Sequence, residues 1–164
     1  MKEGKGMRIV PFIFNWKNQF EKAKRTEDKL KEICPDVFVI NSDSSNTRDG
    51  WIAIGEDAYF TAQFLSALDR FDGDILLHIQ SDASYHDWQP LLDNALKYYE
   101  KYRWGVFAPN VDFTGWNSEK VDIESQLFSE ADLSLVSCTD CTCWFIHKDV
   151  IRQFDNYKKL FLNH

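Results

Sequence analysis

The feature that most constrains the fold of this 164-residue chain is the segment Gly73-Asp74-Ile75-Leu76-Leu77-His78-Ile79-Gln80-Ser81-Asp82. Residues 74–79 form a nearly continuous apolar run of strand length, opened by the turn residues Asp72-Gly73 and closed by polar residues. A half-exposed strand would alternate apolar and polar positions, whereas a run like this one is covered on both faces, as in a parallel sheet layered with helices.

The flanking sequence supplies those layers. Residues 8–14 and 36–40 are β-branched and aromatic runs that stop at Asn15 and at the polar stretch 41–46, and residues 105–108 form a fourth short run. Residues 17–33, 57–69 and 87–102 carry apolar residues at helical spacing, the first ended by Cys34-Pro35 because proline disfavours the α region at the residue before it. Residues 141–146 read as a fifth strand, followed by a helix from 148 to about 160. Strand and helix alternating in this way predict an α/β domain with a mainly parallel sheet flanked by helices. No repeat or linker divides the chain, so residues 1–164 are expected to form a single domain, with 8–14, 36–40, 74–79 and 105–108 as parallel neighbours.

In such sheets ligands bind beyond the carboxyl ends of the strands. Three of those ends are polar: Asn15-Trp16, Asn41-Ser42-Asp43 and Gln80-Ser81-Asp82. They are expected to border one cleft. Asp82, delivered by a buried strand, is a candidate ligand for a hard divalent cation, or alternatively a turn or cap residue. His78 reads as a core histidine and Trp88 as packing for the helix that follows. Tyr85 and His86 follow the Asp82 tip directly as candidates to line the cleft, and Trp16 is a candidate for stacking on a ligand ring or for packing.

Charge narrows the partners. The net charge is -7, with nine Lys/Arg against four Asp/Glu in residues 1–31 and ten against twenty-two in the rest. An acidic body argues against nucleic acid, which needs a basic face. The basic segment reads as a solvated helix face and leaves peripheral membrane contact open. No apolar stretch is long enough to span a bilayer, and the polar start Met1-Lys2-Glu3-Gly4 lacks a signal-peptide core. A cytoplasmic location, extending to the inner membrane face, is the expectation, with reduced thiols. Cys138, Cys141, Cys143 and His147 have the ligand types of a Cys3His zinc site, while Cys141 and Cys143 also suit a buried strand.

The run from Gly73-Asp74 to Asp82 resembles the DxD-motif strand of GT-A-fold glycosyltransferases of the family-2-like kind, with Asp82 at the second Asp and Gln80 in place of the first. Phe12-Ile13-Phe14-Asn15 is similar to the family's first strand, with Ile13 where Pro is usual. Val39–Ser44 resembles the second, and Trp144–Ile151 the late strand-to-helix element. The resemblance implies a Rossmann-like, nucleotide-sugar-binding GT-A fold and metal-assisted transfer of a sugar from a nucleotide-diphosphate sugar to an acceptor hydroxyl on a glycan, lipid or protein. It places the donor at Asn15, Asn41, Asp43, Gln80 and Asp82, with either Asn41 or Asp43 meeting the base. Mn2+ or Mg2+ would sit at Asp82. The family's general base falls beyond His164, so the chain is expected to be the donor-binding part, either truncated or degenerate. Asp140 reads first as a turn residue and second as a surrogate base, and Asp112 first as an ordinary loop carboxylate and second as an acceptor contact. The alternatives are a non-catalytic nucleotide- or sugar-binding module and an α/β domain with structural zinc.

Overall fold

The computed structural model describes residues 6–56, 58–109, 126–130, 133–136 and 141–153, the stretches 126–130 and 133–136 by backbone alone. The strands are β1 (Ile9–Asn15), β2 (Phe38–Asn41), β3 (Ile52–Ala53), β4 (Ile75–Gln80), β5 (Val106–Phe107), β6 (Gln126–Glu130), β7 (Leu133–Val136) and β8 (Cys143–His147). The helices are α1 (Phe20–Lys31), α2 (Phe60–Leu68) and α3 (Gln89–Tyr102), and residues 148–153 are helical. A six-stranded sheet has the order β3-β2-β1-β4-β8-β5, and β6 and β7 form an antiparallel pair of their own.

β4 is central, paired parallel with β1 from Ile9↔Ile75 to Phe14↔Gln80 and antiparallel with β8 from Ile75↔His147 to Ile79↔Cys143. Its residues alternate between two cores. Ile75, Leu77 and Ile79 pack with Ala23 and Leu30 of α1 and Leu92 and Ala95 of α3. Leu76 packs with Ala67 of α2, with Phe60 and Phe64 beside it, and with Ile151. Helices therefore cover both faces, as the unbroken apolar run of β4 requires. Among the described residues no helix is long and apolar enough to cross a membrane.

The expected parallel set is corrected at one place. β1, β2 and β4 are parallel neighbours, but β5 is separated from β4 by β8, which runs antiparallel to both. The apolar pattern of 141–146 marks a strand but carries no direction. α1 begins at Phe20 rather than at 17 because Gln19 N–H bonds the Trp16 carbonyl and Asn18 adopts φ +67°, a left-handed turn that asparagine tolerates. The expected helix 57–69 runs from Phe60 to Leu68, with Asp57 outside the described residues, as are 154–160 of the last helix.

At the amino ends of β1 and β4, Gly73 and Asp74 form a clamp. A Cβ at Gly73 would lie 2.7 Å from Val10 Cγ2 and 3.2 Å from the Arg8 carbonyl oxygen. The Asp74 carboxylate accepts the Arg8 N–H at 2.9 Å and the Lys148 ammonium at 2.6 Å. Those donors, Lys148 foremost, hold its carboxyl below the usual range.

Candidate functional site

From β1 the chain moves outward to β2 and β3, then returns to β4 on the other side of β1. Connections diverge at such a reversal, and sheets of this kind take their ligands beyond the carboxyl ends of the strands there, which in this chain are the ends of β1 and β4. Asn15 and Asn41 end β1 and β2 in direct register. Asn15 Nδ2 donates to Asn41 Oδ1 at 2.8 Å, and the same oxygen accepts the Asp43 N–H at 3.0 Å. Asn41 Nδ2 donates to the carbonyls of Asp43 and Asn46, both at 2.9 Å. The Asn41 amide is thus committed to shaping the loop that follows β2, a use of asparagine typical of tight turns.

Asp43 has the other role. Its Oδ1 accepts the Ser45 hydroxyl and, at 3.0 Å, the Ser45 N–H, and Oδ2 accepts Asn46 Nδ2 at 3.2 Å. A backbone N–H from Asn18 also reaches the carboxylate. With the residue only 1% exposed, these donors, the Ser45 hydroxyl first, outweigh desolvation and hold the carboxyl below its ordinary range. A buried, ionised acceptor stands at the end of β2.

On β4, Ser81 N–H donates to the Phe14 carbonyl at 3.0 Å, which sets Ser81 beside the end of β1. Ala83 N–H closes a turn on the Gln80 carbonyl at 2.9 Å, and Asp82 between them is exposed. Gln80 faces the β8 side, its Nε2 3.4 Å from Cys141 Sγ. Asn15, Asn41 and Asp43 therefore form one bonded cluster, while Gln80 and Asp82 stand on the next strand and share no hydrogen bond with it among the described residues.

Two supports escaped sequence reasoning. Gln63 is fully buried on α2, and its Nε2 donates to the Asn15 carbonyl at 3.0 Å and the Ile40 carbonyl at 3.4 Å. Its signal was a polar residue set on the apolar stripe of Phe60, Phe64 and Ala67. Glu27 on α1 is 3% exposed and accepts Trp51 Nε1 at 2.8 Å, Arg48 Nη1 at 2.9 Å and Lys31 Nζ at 2.6 Å. Nothing local distinguishes it from other glutamates on a Lys/Glu-rich helix. Among the described residues, the buried Asn15 Oδ1, Gln63 Oε1 and Ser81 Oγ have no hydrogen-bond partner, an arrangement that costs free energy unless something polar meets them.

The Cys3His zinc set is overturned. Cys143 and His147 lie at opposite ends of β8, opposite Ile79 and Ile75, so four residues of strand, about 13 Å, separate them. Cys143 is buried in the core, where desolvation pushes its thiol far up, and His147 stacks on Tyr99 at 4.6 Å. Among the described residues no three His, Cys, Asp or Glu are grouped to hold a metal ion. Cys138, Asp112 and the surrogate base Asp140 lie outside the described residues. Trp88 is buried as packing, with Tyr85 against it at 4.7 Å. His78 is a core residue among aromatic rings.

This six-stranded, mostly parallel sheet between helices, with its strand reversal between β1 and β4, is a Rossmann-like fold that matches the fold of a known glycosyltransferase. Among solved structures the chain is similar to the mannosyltransferase PcManGT from Pyrobaculum calidifontis in complex with GDP-Man and Mn2+, with a TM-score of 0.62 and 12% sequence identity. The match covers 92% of this chain and 47% of that one, so the chain spans about half the length of its neighbour. No protein-family model matches the sequence, and no curated protein matches it.

Proposed function

We propose that this chain binds a nucleotide-diphosphate sugar at the carboxyl ends of β1, β2 and β4 and forms the donor-binding portion of a family-2-like glycosyltransferase. The observation that carries the reading is the buried cluster of Asn15, Asn41 and Asp43 at a strand reversal, with Asp82 exposed on the adjacent strand tip. A buried anionic acceptor suits the N–H edge of a base, which would reach Asp43 by replacing one of the side-chain donors from Ser45 and Asn46 that fill the carboxylate here, whereas the Asn41 amide is bound to Asn15 and to loop backbone. GDP-Man in the similar mannosyltransferase favours a nucleotide-sugar donor.

The residues present fit a divalent cation of the hard, oxygen-seeking kind. Mg2+ is commonly held by one or two carboxylates with the rest of its shell from substrate phosphates and water, and Asp82 offers one exposed carboxylate beside the neutral amide of Gln80. Asp82 would hold the Mn2+ or Mg2+, which would supply positive charge to offset that of a departing diphosphate. The chain's own part is to fix the base at Asp43 and to hold the strand tips through Asn15, Asn41 and Gln63, so that the donor is oriented before an acceptor hydroxyl arrives. The acceptor is a glycan, lipid-linked or protein hydroxyl.

Calorimetry with GDP and UDP, with and without Mn2+, tests this. Asp82→Ala is expected to remove the Mn2+-dependent part of the affinity, and Asp43→Ala to weaken binding about tenfold or more whether or not metal is present. Equal affinities in wild type and both variants would refute the site. A non-catalytic binding module is the second reading, favoured by Gln80 standing where a second carboxylate would strengthen the metal's hold. Release of nucleoside diphosphate from a nucleotide sugar separates the two, since a binding module retains affinity with no turnover.

A further inference from the structure

Two connections flank the candidate site, the loop 42–51 after β2 and the loop 81–88 after β4, and α1 is bonded to both. Glu27 accepts Trp51 Nε1 and Arg48 Nη1, and Arg48 Nη1 also meets Asp28 Oδ1 at 2.6 Å. Lys29 Nζ reaches the carbonyls of Tyr85 and His86 at 3.3 and 3.2 Å. The Glu27 carboxylate is 3% exposed and satisfied by three donors, two of them from the loop that carries Asp43. A carboxylate that deep on the packed face of α1 is costly unless its partners are held in place, so the network fixes the far limb of the loop. The near limb is fixed by the bonds of Asn41 and Asp43 to Ser45 and Asn46. The loop is pinned at both ends, and Phe20 packs on Trp51 with ring centroids 5.0 Å apart.

We infer that Glu27 is a positioning residue for the nucleotide site, acting through Arg48 and Trp51 to hold the 42–51 loop in the shape that presents the Asp43 carboxylate. The inference rests on the proposed donor-binding reading. Glu27 touches no ligand itself. Its removal would leave the sheet intact while the loop samples conformations in which Asp43 is turned away, and apparent affinity falls by the fraction of time the binding shape is lost.

The test uses the full chain. In Glu27→Gln the Trp51 indole keeps an acceptor, but the buried charge shared by Arg48 and Lys31 is gone and Arg48 is left with the more exposed Asp28 carboxylate. Hydrogen exchange is expected to show the Ser45 and Trp51 amides, which bond Asp43 Oδ1 and the Arg48 carbonyl, losing protection about tenfold while Leu77 in β4 keeps its own. GDP or UDP affinity with Mn2+ is expected to fall about tenfold. Arg48→Met, which leaves Glu27 with Lys31 and Trp51, should reproduce both effects, and Arg48→Lys should recover part of each. Unchanged Ser45 protection in both Glu27→Gln and Arg48→Met overturns the inference, and so does a lower melting temperature with nucleotide affinity intact. If wild type binds no nucleoside diphosphate, the donor-binding reading fails, and the Ser45 exchange still decides whether Glu27 holds the loop.

Discussion

His78 shows most plainly how a single residue couples this fold to solution conditions. It lies fully buried in the middle of β4, its ring 4.4 Å from that of Phe14, 5.3 Å from Phe60, 6.4 Å from Phe64 and 5.7 Å from Trp144. Neither ring nitrogen has a partner among the described residues, and desolvation lowers its pKa to about 3. The unfolded chain, with a histidine pKa near 6.5, therefore binds a proton that the folded chain refuses. Stability is fully present above pH 6.5 and falls as pH drops toward 3, by at most about 1.4 kcal/mol per pH unit from this group. His147, also held low by burial, contributes in wild type and variant alike. Asp43 and Asp74, held below the ordinary carboxyl value near 3.8, begin to matter only below about pH 5, and alike in wild type and variant. Denaturant midpoints of His78→Leu are expected to match or exceed wild type at pH 7 and to fall less steeply between pH 6.5 and 4. Parallel slopes in the two proteins would mean that His78 finds a partner or water in solution.

Among the elements, β4 was readily legible, because a strand covered on both faces must be apolar nearly throughout, and Ile75–Ile79, interrupted only by His78, met that condition as Ile9–Phe14 of β1 did. Its amino end explains why Gly73 and Asp74 stand there. The Val10 methyl and the Arg8 carbonyl leave no room for a side chain at 73, and Asp74 ties β1 to the helical turn after β8. Gly73→Ala is expected to cost about 1–3 kcal/mol in chemical denaturation, since the obstructing groups are core and backbone rather than a flexible side-chain end. Nucleotide affinity should hold, because the clamp is at the opposite end of β4 from Asp82. A neutral substitution would show that Val10 can yield. The run 105–108 was legible as the strand β5, whereas the two-residue β3 was not, since so short a segment within a polar loop has no period. β8 was visible as a strand yet not as an antiparallel insertion, because that depends on the chain's path between β5 and β8. The polar ends Asn15, Asp43 and Asp82 were legible as abrupt stops to apolar runs. The division of labour between Asn41 and Asp43 was not, because it depends on which amide the loop consumes.

At the scale of the whole molecule, strand order decides where a ligand belongs. The reversal between β1 and β4 brings Asn15 to the Ser81-Asp82 tip and leaves the Asp74 clamp and His147 at the other end of the sheet. The similar mannosyltransferase extends over about twice this length, so donor binding is the part of the reaction that these residues are proposed to supply. The most direct measurement is paramagnetic broadening of backbone amide resonances by substoichiometric Mn2+ in the presence of GDP or UDP. Ser81, Asp82 and Ala83 should broaden first and Asn15 and Asp43 next, with Asp74 and His147 unaffected, and Asp82→Ala should abolish the pattern. Broadening centred on His147, or a pattern that survives Asp82→Ala, would contradict a metal-assisted donor site at the carboxyl ends of β1, β2 and β4.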